Sequence, residues 1–393
     1  MSRNVASNVA RRSASVCPSS QLPFSQPLAN PDANLPVVGR LAPSPTGALH
    51  LGNARSFLLA WLSVRQQHGQ LWLRVEDIDS PRVKPWAVQS TLDDLRWLGI
   101  DWDIGPEQLP SEPPGSALSA SDPPAGQGVD AEAAGSDSAA AKADAHTHFS
   151  VETIQSRRLP RYRQVLEQLI AAGCVYPCTC SRSEVAQAAS APHENSLATL
   201  EGPIYPGTCR PQFAEAAVGA PTEGKFAWRW RFAAGQMLWH DRLHGDLQAN
   251  PAQQLGDFII AQGDGTPAYQ LAVIVDDHDM QVTEVVRGDD LIFSTYRQLA
   301  ILQHLGWLAP SYVHVPLMLG PDGRRLAKRH GDTRLSTYRQ AGVSAEQIVG
   351  YLAWTLGLQA DRKPLPAVDL IGRLNWADLS LEPTVVDSKQ LGW

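Results

Sequence analysis

The fold of this chain is decided by residues 39–53, which read GRLAPSPTGALHLGN. An apolar strand, predicted over 36–41, leads through a turn rich in Pro and Gly into an amphipathic helix, predicted over 53–68. Such a junction directs unpaired backbone N–H groups and the positive helix end towards one point, where an anion can bind. His50 can donate a hydrogen bond to a phosphate, and Gly52 has no side chain to keep a flat ring away. By itself, the pattern predicts only an anion-binding strand, turn and helix.

The segments around this junction alternate between strand and helix patterns, which is typical of an α/β domain with a parallel sheet. The other predicted elements are strands over 71–75, 270–276 and 312–319, and helices over 295–305, 345–356 and 366–374.

Composition predicts a globular protein with more than one compact region, because 43% of the 393 residues are hydrophobic and 19% are charged. No apolar run is long enough to span a membrane and no secretory signal is visible, so we expect a cytoplasmic protein. The net charge of −7 is concentrated in residues 106–148, which are rich in Pro, Ala, Ser and Gly. We predict that this acidic insertion is disordered, as is an N-terminal extension over 1–35.

A second element of the sequence is basic: RRLAKRH at 324–330 follows the turn GPDG at 320–323. A lysine on such a loop suits adenylyl transfer, because negative charge develops on the triphosphate and a cation must stabilise it. The alternative interpretation is a solvated basic turn.

Together the two elements resemble the class I aminoacyl-tRNA synthetases, with HLGN at 50–53 in place of the HIGH motif and RLAKR at 325–329 in place of KMSKS. Arg325 and Ala327 depart from the second pattern, whereas Lys328 keeps its second lysine. The resemblance implies a Rossmann-like parallel-sheet catalytic domain that uses Mg²⁺ with ATP. It assigns catalysis to His50, Asn53 and Lys328, and ATP binding to His50, Gly52, Asn53 and Lys328.

The motifs RLAPSPTG at 40–47, RVEDIDSPR at 74–82, YQLAVIVDD at 269–277 and TEVVRGDDL at 283–291 follow one another in the order of the glutamate branch of that class. Glutamate brings two carboxylates and one ammonium into a pocket, and each needs an opposite charge to offset its desolvation. The resemblance assigns glutamate binding to Arg40, Leu41, Ala42, Pro43, Ser44, Glu76, Tyr269 and Arg287.

Within this set, Glu76 suits the ammonium and the two arginines suit the carboxylates, with Ser44 and Tyr269 as hydrogen-bonding partners. The alternative makes the acidic and basic residues of 74–82 a salt-bridged turn without a ligand.

Three cysteines and a tyrosine have chelating spacing, in the patterns Cys178-x-Cys180 and Tyr205-x-x-x-Cys209. Thiolates in a reducing compartment favour metal over a disulfide, and zinc prefers sulfur. In the resembled family this pairing is the zinc site of the acceptor-binding insertion. We therefore predict one structural Zn²⁺ per chain, the alternative being three buried cysteines without metal.

The family resemblance divides the chain into catalytic halves over 36–105 and 256–332, a zinc-containing insertion over 149–255, and a short helical segment over 333–393. This last segment stands where glutamyl-tRNA synthetases carry an anticodon-binding region. The shortened form resembles the branch that attaches glutamate to the cyclopentenediol of queuosine in the anticodon loop of tRNA(Asp).

The function that follows is tRNA-independent activation of L-glutamate and its transfer to that acceptor by a protein expected to be monomeric. Two alternatives stay open: a tRNA(Glu)-charging enzyme with a minimal tail, and a non-catalytic regulator that binds glutamate or tRNA. An arginine cluster between 157 and 163 is either an RNA contact or a solvated helix face.

Overall fold

The computed structural model describes residues 36–78, 82–106, 151–189, 202–210, 219–326 and 333–386. The predicted disordered segments, 1–35 and 106–148, lie outside these ranges except for Pro106. Asp79 and Lys328 also lie outside the described residues.

The strands are β1 Val38–Leu41, β2 Gln70–Leu73, β3 Val175–Cys178, β4 Ala227–Trp230, β5 Met237–Asp241, β6 Gly245–Ala249, β7 Phe258–Gln262, β8 Glu284–Gly288, β9 Ser311–Val315, β10 Met318–Leu319 and β11 Thr384–Val385. The α-helices are α1 Leu51–Gln66, α2 Pro85–Trp97, α3 Leu159–Ala171, α4 Arg182–Ala189, α5 Pro251–Gln254, α6 Tyr269–Asp279, α7 Ile292–Leu305, α8 Leu335–Gln340 and α9 Ala345–Thr355. Four short 3₁₀ helices among the described residues are Gln155–Arg158, Asp289–Leu291, Ala367–Leu370 and Trp376–Asp378.

Parallel strand pairs form the centre of the predicted catalytic domain. Strands β1 and β2 are parallel, and β8 is parallel to β9 in a sheet of order β6-β5-β9-β8. The amide of Thr283, just before β8, donates a 2.9 Å hydrogen bond to the Val38 carbonyl at the start of β1, which joins the two sheets. Since β5 and β6 pair antiparallel at one edge, the four-stranded sheet is mixed, and the prediction of a parallel sheet holds for β1-β2 and for the pairs β5-β9 and β8-β9.

Helix α1 crosses this centre and carries much of the core, because Leu51, Leu58, Leu59 and Leu62 are almost completely buried. Burying each such side chain contributes about 1.5–3 kcal/mol to stability. The first turn of the helix is thereby held at the ends of β1 and β8, where the predicted binding residues gather.

A separate antiparallel sheet has the order β3-β4-β7, and its first strand comes after β1 and β2 in the chain. Its first strand, β3, ends at Cys178, so the first of the predicted metal ligands lies at the end of an edge strand. The third strand, β7, comes from residues beyond the predicted 149–255 insertion.

The prediction of a strand over 270–276 is wrong, because these residues belong to helix α6. Its run Leu271–Val275 is buried on every side, so no polar face marks the helical period. A short, wholly apolar run cannot distinguish a buried helix from a buried strand.

The C-terminal part is less helical than predicted. The strand predicted over 312–319 is interrupted at Pro316, which has no backbone N–H to donate to a ladder, and the helix predicted over 366–374 is only a short 3₁₀ turn. Thr384–Val385 forms β11, which pairs in parallel with β10.

Among the described residues, no helix is long and apolar enough to cross a membrane.

Candidate active site

A cavity of about 510 Å³ opens where the first turn of α1 meets the ends of β1 and β8, a size typical of small-ligand sites. Most residues predicted to bind glutamate or ATP line it: Arg40, Ala42, Pro43, Ser44, His50, Gly52, Asn53, Glu76, Tyr269 and Arg287. Leu41 does not, because its side chain is fully buried in the core and its carbonyl accepts the Arg74 amide. Its assignment to glutamate binding stays a prediction.

Arg74 is a fully buried hub on one side of the cavity. Its guanidinium contacts Glu76 at 3.1 Å, Asp277 at 2.7 Å and Asp276 at 3.6 Å. Burial acts to lower the pKa of Arg74, but the carboxylates of Asp277, Asp276 and Glu76 outweigh it and raise that pKa. The salt-bridged turn considered as an alternative is thus partly real, yet Glu76 still lines the cavity.

Arg40 lies beside this hub with only 6% of its surface exposed. Its Nε is 3.7 Å from Asp277 Oδ1, too far for a hydrogen bond, and its Nη1 donates to the Val286 carbonyl at 3.3 Å. Burial, together with the charges of Arg74 and Arg287, lowers the pKa of Arg40. Arg40 and Arg287 both line the cavity, so two buried cations face the ligand space on this side.

Arg287 is held by neutral groups from three directions. Its Nε donates to His314 Nε2 at 3.0 Å, and its Nη2 donates to the Thr295 hydroxyl at 2.7 Å and to Gln298 Oε1 at 2.9 Å. Burial lowers the pKa of His314 to about 4, so its ring is neutral at pH 7. Because Nε2 accepts from Arg287, the ring proton is on Nδ1 and donates to Asp241 at 2.7 Å.

Among the described arginines that line the cavity, Arg40 and Arg287 each have one buried nitrogen without a hydrogen-bond acceptor, Arg40 Nε and Arg287 Nη1. An unpaired buried donor is costly, and a carboxylate is an acceptor that can satisfy such a nitrogen. The arginines of this wall therefore favour an anionic ligand.

The opposite wall is the N-terminus of α1. His50 is the N-cap residue, and its side chain makes no capping hydrogen bond. The Leu51 amide donates to the Thr333 carbonyl at 3.1 Å, so the first-turn amides left for an anion are those of Gly52 and Asn53. Burial, with a smaller effect of Arg325, lowers the pKa of His50 to about 4. His50 is therefore an uncharged hydrogen-bonding group at neutral pH.

The basic loop begins beside this wall. Arg325 lines the cavity and forms an ion pair at 2.6 Å with Asp290, which lines it too. The chain reverses between β10 and Leu326, whose amide donates to the Met318 carbonyl at 3.3 Å. Lys328 lies outside the described residues, so its role stays a prediction.

The three cysteines predicted to bind metal are brought together, with their sulfur atoms within 4.8 Å of one another. Cys180 Sγ is 3.5 Å from Cys209 Sγ, and the Tyr205 hydroxyl is 3.4 Å from Cys178 Sγ. None of the three is in a disulfide. A tetrahedral site with metal–sulfur bonds of about 2.3 Å needs sulfur atoms roughly 3.8 Å apart, so this group could hold a metal ion.

Two arginines of the cluster, Arg158 and Arg161, are held in ion pairs with acidic residues of α6. Arg158, 7% exposed, contacts Asp276 at 2.7 Å and Asp279 at 2.6 Å, and Arg161 makes two contacts to Asp279 at 2.8 and 2.9 Å. Arg157 pairs with Glu152 at 3.5 Å. These ion pairs favour a structural role over the RNA contact considered from sequence.

Sequence reasoning did not identify the residues that orient Arg287. His314 and Asp241 come from strands β9 and β5, far from Arg287 along the chain, and no local motif marks them. Gln270 joins the same group through Gln298, at 3.0 Å.

Comparison with known proteins gives one family. Residues 36–393 match the family model described as tRNA synthetases class I (E and Q), catalytic domain. A protein named glutamyl-Q tRNA(Asp) synthetase from Rhodopirellula baltica is 44% identical over 89% of this chain and 97% of that protein. A protein of the same name from Nitratidesulfovibrio vulgaris is 42% identical over 89% of this chain and 95% of its own length.

The fold is also that of a solved structure, a glutamate tRNA ligase from Elizabethkingia meningosepticum in complex with its amino acid. It superposes with a TM-score of 0.64 at 22% identity, covering 91% of this chain and 68% of that one. At this identity the likeness shows the fold alone.

Proposed function

Because the chain belongs to the class I tRNA synthetases of the E and Q type, we propose that it activates L-glutamate with ATP and transfers it to the queuosine of tRNA(Asp). The observation that carries the first half is the pair of unpaired, buried guanidinium nitrogens of Arg40 and Arg287 at one cavity. They match a substrate with two carboxylates.

In this proposal Arg287 and Arg40 bind the carboxylates of glutamate, and Glu76 binds its ammonium. Ser44 and Tyr269 line the same space and supply hydroxyl groups. Each charge of the substrate then meets an opposite charge, which offsets the cost of removing it from water.

MgATP is the second substrate, with its phosphates at the N-terminus of α1 near His50, Gly52 and Asn53. An α-carboxylate oxygen of glutamate forms a bond to the α-phosphorus while the bond to the bridging oxygen breaks and pyrophosphate leaves. The helix amides, neutral His50 and Lys328 stabilise the charge that develops on the phosphates. The protein supplies no nucleophile.

The acceptor is proposed from the relatives. Proteins named glutamyl-Q tRNA(Asp) synthetase match this chain along nearly their whole length. A hydroxyl of the queuosine cyclopentenediol would attack the glutamyl carbonyl and lose its proton while AMP leaves.

Glutamate-dependent exchange of pyrophosphate into ATP, measured without tRNA, tests the activation step. We expect exchange with L-glutamate and none with L-glutamine. Absence of exchange, both without tRNA and with tRNA(Glu) added, would leave only the regulator that binds glutamate or tRNA.

Charging of tRNA(Asp) that carries queuosine tests the acceptor. Glutamate should be attached to this tRNA, remain attached in equal yield after removal of its 3′-terminal adenosine, and be absent from tRNA(Asp) without queuosine. Charging of tRNA(Glu) that depends on the terminal adenosine would instead support the tRNA(Glu)-charging alternative.

Gly52→Ala tests the ATP position. A Cβ at Gly52 would lie 3.2 Å from the Cε1 and Nδ1 atoms of His50, so the ring must shift where the phosphates are proposed to bind. We expect the KM for ATP to rise about 10-fold or more, with little change in the KM for glutamate. Gly219→Ala is the control, because its Cβ would meet no atom within 4 Å. An unchanged KM for ATP would remove the helix terminus from the ATP site.

The metal at Cys178, Cys180 and Cys209 is proposed to be structural Zn²⁺, with the Tyr205 oxygen as fourth ligand. Cys209→Ala should lower the zinc content of purified, dialysed protein from one per chain to nearly none, because two thiolates and a phenol bind zinc weakly. The control is Thr179→Ala, at an exposed residue between two ligands. Wild-type protein without zinc would contradict the proposed site.

A further inference from the structure

Arg55 is a buried cation that the proposed chemistry does not use. It lies on α1 with 3% of its surface exposed, and Nη1 donates a 2.6 Å hydrogen bond to the Thr384 hydroxyl. Its Nη2 donates to the Pro316 carbonyl. Both acceptors are neutral, and burial lowers the pKa of Arg55 to about 10 despite the opposing charge of Asp289.

Burying a guanidinium against neutral acceptors is expensive, and an apolar side chain of similar length would often be as stable at such a position. Stability alone therefore explains Arg55 poorly. Its two acceptors indicate a positional role, since they belong to segments far apart in sequence that meet at β10.

The segment held by Arg55 is part of the active-site wall. Pro316, Leu317 and Met318 line the cavity, directly before β10 ends. On one edge of β10 lies the C-terminal strand, since the Thr384 amide donates to the Leu317 carbonyl at 3.1 Å and the Val386 amide donates to the Leu319 carbonyl at 2.8 Å.

The basic loop starts from the same strand. Leu319 forms a β-bridge with Arg325, and the Gly320 amide donates to the Arg324 carbonyl at 2.7 Å. The position of β10 relative to α1 therefore determines where Arg325 and Leu326 stand with respect to the N-terminus of α1.

We infer that Arg55 is a positioning residue which, with Thr384, sets β10 against α1 and so couples the C-terminal segment to the adenylation geometry. The expected effect on kcat rests on the proposed function, whereas the effect on the position of β10 does not. Arg55 touches neither substrate in this arrangement and acts through the strand that precedes the loop.

Arg55→Met and Thr384→Val, each removing one side of the contact, test this role. In pyrophosphate exchange we expect kcat to fall about 10- to 100-fold, because small displacements of reacting groups have effects of this size, with little change in the KM for glutamate. Thr384→Ser keeps the hydroxyl and should retain the wild-type kcat. A wild-type kcat in both Arg55→Met and Thr384→Val would overturn the inference. If Arg55 only stabilised the fold, Arg55→Met would lower the urea midpoint of unfolding and leave kcat unchanged.

Hydrogen–deuterium exchange of the peptide 316–326 without substrates gives a second readout that needs no activity. The amides of Gly320 and Leu326, which are hydrogen-bonded in the hairpin, should exchange faster in both variants than in wild type and Thr384→Ser. If wild-type protein shows no glutamate-dependent pyrophosphate exchange, the proposed function fails, and the hydrogen–deuterium exchange alone then tests the role of Arg55. Unchanged protection in the two variants would then overturn the inference.

Discussion

Arg287→Lys should reduce kcat/KM for glutamate in pyrophosphate exchange by about 30-fold to several thousand-fold, corresponding to roughly 2–5 kcal/mol for a buried charge that loses its partners. A lysine cannot donate to His314, Thr295 and Gln298 and still present a nitrogen to the cavity, because its ammonium is a single point on a flexible stem. Because lysine keeps the positive charge, the fall in kcat/KM measures the lost hydrogen-bond geometry of the guanidinium.

The matched control for Arg287→Lys is Arg96→Lys, since the side chain of Arg96 is 49% exposed and its nearest Asp93 oxygen is 4.0 Å away. Arg96→Lys should leave kcat/KM unchanged. Urea unfolding of both variants shows whether the protein remains folded. If folded Arg287→Lys had the wild-type kcat/KM for glutamate, Arg287 would not bind a substrate carboxylate.

Arg74→Met should lower the free energy of unfolding by about 3–5 kcal/mol, measured by urea titration at pH 7, because it leaves the carboxylates of Glu76, Asp276 and Asp277 without their shared cation. Arg157→Met is the control. Its ion pair with Glu152 is solvent-exposed and should contribute less than about 1 kcal/mol.

The destabilisation by Arg74→Met should also depend on pH. Burial already raises the pKa of Glu76 and of Asp276 in the wild type, and losing Arg74 raises both further. Groups whose folded pKa lies above the unfolded value stabilise the folded state below the unfolded pKa and lose this contribution as the pH rises through the folded pKa. The difference from wild type should thus be smaller at pH 5 than at pH 8; a difference independent of pH would contradict the buried carboxylate network.

Local patterns along the chain identified the regions that form the cavity. The turn at 42–50, Glu76 and Arg287 were predicted together as binding residues, and the structure brings them to one cavity. Their assigned roles stay predictions until the variants are measured. The amphipathic period of α1 and the apolar runs of β1, β2 and β9 were readable because each element has a polar boundary or a polar face.

The same reasoning failed where burial is complete or where pairing is long-range. Helix α6 was predicted as a strand because Leu271–Val275 is apolar on all sides. The strand β11 was not predicted, because two residues that add to β10 have no period of their own and depend on a partner about 65 positions earlier in the chain.

Sequence by itself determined the family resemblance, the kinds of side chain predicted to contact the substrates, and the chelating spacing of Cys178, Cys180 and Cys209. These features are local, since residue type and spacing within a turn are set by the covalent chain. Only the tertiary structure decided the protonation and orientation of His314, the neutral state of His50, and the contact of Arg55 with Thr384. Burial and the approach of distant segments set these properties, because desolvation and hydrogen bonding depend on neighbours in space rather than in sequence.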